Sequence, residues 1–531
     1  MTRDTPIAGR AFRSLSIPGL RVERALGREF LLVEPELLAA LAETAFAEVQ
    51  HFFRASHLAQ LRAILDDPEA SAGDRFVAME LLKNAVVASG GLFPSCQDTG
   101  TATVYGWKGE AVLVEGDPVA ALEAGIARCW ATRNLRSSHL APLSMYEERD
   151  TGTNLPAQIE LGAVSGDRFR LLFVAKGGGS ANKTFLFQET KRLLDPDRLL
   201  AFLEEKIRTL GTAACPPYHL AIVVGGLSAE QCLKTVKLAS TRALDDLPTA
   251  GDASGRAFRD LETERRVLEL TRRIGIGAQL LGKYLCHDVR VIRLPRHAGS
   301  LPVGLGVSCS ADRQIEAFVS PAGVFLEELE HDPARFLPER PVDLAEAVAI
   351  DLDRPMAAIR AELARLPVGT PLLLSGTMIV ARDQVFAALA KRRAAGVALP
   401  AYLRDHPIYH AGPARAPEGW PAGSFGPTTA ARMDPYMPDF QAEGAALVTV
   451  AKGNRSGLVV RSCEKNGGFY LAGIGGAAAV TAKDRIRAVE VIDFPEFGME
   501  AVHRIEVDGF PAFLVIDDKG NDLYGARVAG R

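Results

Sequence analysis

The stretch FRLLFVAKGGGSANK, residues 169–183, sets the architecture. FRLLFVA (169–175) reads as a buried strand, and the chain then breaks into three glycines held between two lysines. Glycine lets backbone N–H groups approach an anion closely. The G-x-x-x-x-G-K-[ST] pattern of a P-loop is absent, so the segment is either an anion cradle or a flexible surface turn. The same strand-then-loop pattern recurs. HLAIVV (219–224) runs into GGLS, with Cys215 just upstream, and DVRVIRL (288–294) runs into PRHAGS, with Cys309 further on. Strands that deliver glycine-rich polar loops place a site at a sheet edge.

Around this core the chain has 531 residues, 47% hydrophobic, 24% charged and 7% aromatic, ordinary globular values for a chain able to bury two or more cores. A net charge of -4 gives no basis for a nucleic-acid partner or an anionic membrane surface. No apolar run reaches membrane-span length. The first twenty residues lack an apolar h-region, a poor secretory signal and a weak transit peptide, so a cytoplasmic enzyme is expected. The seven cysteines are Cys96, Cys129, Cys215, Cys232, Cys286, Cys309 and Cys463. Their odd number and the absence of any CxxC speak against a disulfide framework, a zinc ribbon or ferredoxin spacing. A thiolate-bound metal would draw its ligands from distant segments.

Residues 35–53 carry apolar positions at helical spacing, with Pro35 in the first turn. A second helix is expected over DRFVAMELLKNAVVAS (74–89), with Asp74 as its cap and Gly90-Gly91 as its stop. Cys96 then sits in LFPSCQDTG, before the strand TATVYGW (101–107). The charged, proline-rich ELEHDPARFLPERP (328–341) reads as a boundary. Residues 343–366 look helical. Beyond them strands and helices alternate, as expected of a second, smaller α/β unit. The organisation read is 1–335 and 336–531.

Several polar groups follow strand ends. LPRHAGS offers Arg296 and His297, or a solvated edge. GTMIVARD offers Arg382 before a helix, or an ordinary surface arginine. GSFGPTTAARMD (423–434) delivers Thr428 and Thr429, with Arg432 one turn later; the threonine pair also suits an N-cap. VAKGNR places Lys452 at a strand end. Guanidinium forks match carboxylates, so these cations together suit a dicarboxylate. GIGGAA (473–478) gives G-x-G-x-x-A between a strand and a helix, with Asp493 ending the next strand. A tight turn is the competing reading for that stretch.

Taken in order, CQDTGTA, NLRSS, TNLPAQ, KGGGSANKTFL, GTAACPPYHLA, GGLSAEQCLKTVKLAS, LPRH, VGLGVSCSADR, GSFGPTTAARMD, AKGNRS and GFYLAGIGGAAAV resemble the class I fumarate hydratases, the iron–sulfur fumarases. The resemblance covers nearly the whole chain from about residue 30. It implies an α/β (α+β) fold. An N-terminal domain of mixed sheet and helices would bind the cluster, and a C-terminal swivel-like α/β domain would complete the site between them. It also implies a [4Fe-4S] cluster on Cys96, Cys215 and Cys309. Three thiolates leave one iron with an open position for Lewis-acid chemistry, where a fourth would suit electron transfer. Gln97, Arg136, Gly179, His297, Arg382, Arg432 and Lys452 are implied to contact a small dicarboxylate substrate. Thr428 is implied as base at carbon and Asp98 as acid at oxygen. A homodimer with a place in the tricarboxylic acid cycle is implied as well.

Three departures from the family pattern stand out. QVFAALAKR follows VARD where the family usually reads an alanine–histidine pair. Ala431 replaces a glycine, and Leu301 stands for a cysteine. Two alternatives remain at this level. One is a hydro-lyase for a related diacid, tartrate or mesaconate. The other is a non-catalytic iron–sulfur or nucleotide-binding regulator, although Asp98, Thr428 and Lys452 would be idle in it.

Overall fold

The computed structural model describes residues 9–25, 27–339 and 346–527. The strand Phe169–Lys176 is buried along almost its whole length and sits inside a six-stranded sheet. Its neighbours are Thr101–Gly109 on one side and Gln314–Ser320 on the other, both antiparallel. A five-stranded sheet runs beside it, with Tyr218–Gly226 at its centre, parallel to Cys286–Arg296 and antiparallel to Leu301–Ser308. Phe169–Lys176 and Tyr218–Gly226 are buried on both faces, which is why they read as near-continuous apolar runs without alternation.

The helices Pro35–His51 and Ala72–Ala88 cover this half. The second differs from expectation at its start. Ser71, not Asp74, is the cap: its hydroxyl accepts the Asp74 N–H at 2.9 Å. Asp74 lies inside the first turn, and its buried carboxylate instead accepts N–H groups of Ala278 and Lys283 at 2.7 and 2.9 Å. The segment before residue 30, where motif matching fails, supplies the edge strand Phe12–Leu15 of the six-stranded sheet, paired with Gly323–Glu327.

The second half is built on a seven-stranded sheet. Its long strand Val502–Ile516 pairs with both Phe469–Gly473 and Pro371–Val380, which closes the sheet on itself. The helix expected over 343–366 is corrected. Residues 343–345 lie outside the described residues, Val348–Asp351 is a strand parallel to Pro371–Val380, and only Met356–Leu363 is helical. The apolar run VAID served a sheet edge, a difference that short runs do not signal. GIGGAA is the turn between the strand Phe469–Gly473 and the helix Ala478–Asp484. One apolar cluster runs through both halves, from Leu203 and Val224 to Ile379 and Phe440, so the halves pack as one body.

Candidate active site

The cavity between the halves has a volume of about 1080 Å³. From the first half Gln97, Asp98, Arg136, Gly178 and Gly179 line it; from the second Arg382, Asp383, Thr428, Arg432, Lys452 and Glu500 do. Gln97, Asp98, Arg136, Arg382, Thr428 and Lys452 arrive on loops or at strand ends, whereas Gly178 and Gly179 open a short helix, Asp383 begins the helix Asp383–Ala394, and Arg432 and Glu500 sit in short 3-10 helices. Among the described residues no helix is long and apolar enough to cross a membrane.

Three cysteine loops meet at the floor. Cys96 and Cys215 are buried and Cys309 is partly so, and all seven cysteines are free thiols. Cys215 holds a left-handed backbone, φ 59°. Its carbonyl accepts the Ser310 N–H at 3.1 Å, which ties its loop to that of Cys309. Burial pushes the Cys215 thiol up to about 11, with Lys452 opposing and Cys309 and Cys96 adding to the rise. Burial likewise raises Cys96, with Arg313 opposing and Asp98 and Cys309 adding to it. The three thiols therefore feel one another. Gly475 packs where any Cβ would strike the Cys215 sulfur, and a Cβ on Gly476 would strike the Ser310 hydroxyl. The other four cysteines lie elsewhere, within apolar packing.

This set fits an iron–sulfur cluster. The hydroxyls of Ser95, Thr212 and Ser310, each close in sequence to one of the three cysteines, are buried without a hydrogen-bond partner, and buried donors seldom go unused. The three thiols are absent from the one group, among the described residues, whose donors crowd within 4.8 Å as around a single ion; that group is His57, His219 and Asp312.

Above the thiols the cations are held by acids. Lys452 Nζ stands 2.7 Å from the Cys215 sulfur. Burial would lower this ammonium, but the neighbouring thiols raise it. Arg382 lies directly before the helix Asp383–Ala394 and pairs with Asp383 at 3.0 Å and Glu500 at 3.1 Å. Glu500 also accepts the Gln384 N–H at 3.0 Å, so one carboxylate caps the helix and aims the arginine. Asp383 bridges to Arg432 at 3.3 Å. Arg432 in turn donates to Thr428 Oγ1. The threonine pair is not a helix cap: Thr429 makes no side-chain capping bond.

Asp98 faces these groups from the first half. Arg136 lies 3.2 Å from it, and Gly178 N–H donates to it at 2.8 Å. Burial would raise this carboxyl; Arg136, Arg313 and the Gly178 N–H overcome it and bring it down to about 2. Arg136 also donates to the Gly412 carbonyl at 2.8 Å, and Gln97 to the Pro427 carbonyl at 3.2 Å, so both span the halves. Gly179 lies beside Lys452, where a Cβ would stand 3.6 Å from Nζ.

His297 is the exception. It is exposed, does not line the cavity, and its Nδ1 accepts the Gly299 N–H at 3.1 Å. Sequence reading missed Asp383, Glu500 and Arg313. Asp383 carried a signal, a carboxylate adjoining Arg382, whereas nothing local marks Glu500. The GIGGAA turn is filled: Asn84 Oδ1 accepts the Ala479 and Val480 N–H groups at 2.8 and 3.2 Å, occupying the helix start a pyrophosphate would need.

Known proteins match along this whole arrangement. The family descriptions "Fumarate hydratase (Fumerase)" and "Fumarase C-terminus" match residues 39–318 and 323–527. Fumarate hydratase 2 of Leishmania major is 55% identical over 505 residues, 95% of this chain and 89% of that protein. Fumarate hydratase class I, aerobic, of Escherichia coli strain K12 is 54% identical over 500 residues, 94% of this chain and 91% of that protein. The putative L(+)-tartrate dehydratase subunit beta of Methanocaldococcus jannaschii is 34% identical over 167 residues, 31% of this chain and 86% of its own.

Proposed function

This chain belongs to the class I fumarate hydratases, hydro-lyases that hydrate fumarate to malate, and we propose that the reaction runs in the cavity between its halves. The observation that carries the placement is one cavity lined by Lys452, Arg432 and Arg382, with Lys452 bonded to the Cys215 thiol beneath it. Cys96, Cys215 and Cys309 would hold a [4Fe-4S] cluster. When bound, it supplies an iron with an open position, a Lewis acid for the carbon–oxygen bond change.

The chain does the rest. Arg136, Arg382, Arg432 and Lys452 take the two substrate carboxylates, with Gln97 and the Gly179 backbone completing the fit. Charge that builds beside the far carboxylate as a proton leaves carbon is met by cations already in place. Thr428 Oγ1 is the base that takes the proton from carbon when (S)-malate is dehydrated, and it returns that proton to carbon when fumarate is hydrated. Its alkoxide-like form is otherwise costly, and the Arg432 hydrogen bond stabilises it. Asp98 is ionised at rest, so it accepts a proton from water during hydration and returns it to the leaving oxygen in reverse.

A cavity this large also has room for tartrate or mesaconate, the second reading. The regulator reading loses support because Asn84 occupies its nucleotide position. A homodimeric, cytoplasmic enzyme completes the proposal, its assembly testable by sedimentation. The test is anaerobic reconstitution, then turnover of fumarate, malate, tartrate and mesaconate, with Cys309→Ser as control. Iron uptake with preferred fumarate turnover is expected. Full iron with turnover only of another diacid overturns the fumarate assignment.

A further inference from the structure

Behind the cysteine loops lies a buried block of His57, His219 and Asp312, each at most 2% exposed, that the reaction does not use. The hydrogen bonds fix where its protons are. His57 Nε2 faces the Ser310 carbonyl at 3.2 Å, and a carbonyl only accepts, so Nε2 carries hydrogen. His219 Nδ1 faces Asp288 at 2.9 Å, a carboxylate held well below its ordinary range by His219 and Arg290 against burial. Nδ1 therefore carries hydrogen too. The two remaining nitrogens, His57 Nδ1 and His219 Nε2, face each other at 3.0 Å. In two neutral rings both would be bare lone pairs, an arrangement with no bond and strong repulsion.

One positive charge resolves this. We propose that His219 is a standing imidazolium held between Asp288 and Asp312, and that it fixes the loop carrying Cys309. His219 Nε2 lies 3.6 Å from Asp312 Oδ1, so the ring has a carboxylate on each side. His57 is the poorer host, since burial holds it down at about 4 despite Asp312. His287, whose ring centre lies 5.2 and 5.3 Å from the other two, stays neutral. The charges balance. Asp288 and Asp312 bring two negatives, and Arg242 contacts Asp312 with one positive. Arg290, 3.4 Å from Asp288, is already matched by Asp245 at 2.7 and 2.8 Å. One proton neutralises the block, whereas a divalent cation between the rings would overcharge it.

A chain of hydrogen bonds links His219 to the cysteine loops. His219 donates to His57, and His57 to the Ser310 carbonyl. Ser310 N–H donates to the Cys215 carbonyl, and Asp312 N–H to the Cys309 carbonyl at 2.9 Å. Asp312 sits at φ 31°, a conformation that persists only where its surroundings enforce it. His219 is thus a positioning residue, and this part rests on the reading of Cys215 and Cys309 as cluster ligands.

The experiment uses apoprotein with 15N-labelled imidazoles. At about pH 8, well above the ordinary histidine value of about 6.5, one of the ten histidines should show two protonated nitrogens. Ten neutral rings, or a stoichiometric divalent metal in the apoprotein, would overturn the proposal; this measurement needs no variant. In His219→Gln the charged signal should vanish, and labelling of Cys309 in the apoprotein should quicken on the order of tenfold as the loop opens locally. An unchanged labelling rate in folded His219→Gln would sink the positioning claim. Iron content of Cys309→Ser separates the two readings: full iron there ends the cluster assignment and leaves the histidine result standing.

Discussion

The two halves of the cavity are made differently. Residues 177–179, 215 and 309–313 fix the cysteine loops chiefly with backbone, glycines and left-handed residues, while Gln97, Asp98 and Arg136 give the first half its side chains in the cavity. Residues 382–500 shape it with side chains: Arg382 and Arg432, each gripped by an acid, and Lys452, held against the Cys215 thiol. The cysteine loops can give way only by deforming main chain, which suits the rigid cradle that the proposed metal group would need. The second half holds long side chains in a fixed fan, which suits a substrate whose charge moves during reaction. If this contrast holds, damage to the first half should abolish loading, and damage to the second should spare loading but slow chemistry.

The sharpest break is Cys96→Ser or Cys309→Ser. Iron should fall and fumarate turnover drop by roughly a thousandfold or more, the scale on which preorganised electrostatic elements act; iron analysis and anaerobic kinetics check this. Thr428→Val comes next. It keeps the shape and removes the oxygen that Arg432 meets, so kcat should fall roughly 10²–10⁴-fold at normal iron content. A full-rate Thr428→Val would remove Thr428 as the base. Asp383→Asn loosens the bridge between Arg382 and Arg432 without touching the thiols. It should raise the KM for fumarate about tenfold more than it lowers kcat.

Smaller effects test whether the contrast extends to stability. Each half buries a neutral histidine: His51, held at about 4, and His410, at about 3, burial being the main cause in both. Such a ring favours folding above its unfolded value of about 6.5 and loses that contribution as pH falls towards its folded value. Apoprotein stability should therefore drop by up to about 1.4 kcal/mol per pH unit for each ring below pH ~6.5, seen as a falling urea midpoint. Asn84→Ala should cost about 1–2 kcal/mol, since its side chain joins the Ser95 carbonyl at 2.8 Å to the Ala479 helix start across the halves. Its activity per loaded enzyme should hardly change.

Much of this was legible in the chain itself. The strands from Phe169 and Tyr218 declare themselves because a strand buried on both faces must be largely apolar, and the strand from Cys286 by its alternation of Val289, Val291 and Ile292 with charged residues. The loops after them declare themselves by glycine. Where local pattern failed, a partner distant in sequence had decided the outcome. Asp74 looks like a cap, yet its carboxylate is spent on amides some two hundred residues away. VAID looks like part of a helix until the neighbouring strand Pro371–Val380 is present to pair with it.

The sequence by itself determined the α/β class, the positions of the main strands along the chain and the chemistry each loop could offer, because these follow from side-chain type and spacing within a few residues. Which three of seven thiols meet, that Asp383 and Glu500 grip the arginines, that His297 stands outside the cavity of this chain, and that two imidazoles face each other behind Cys309 were decided only by tertiary structure. Those are distances between residues hundreds of positions apart, set when the halves share one core, and no local run of sequence encodes them.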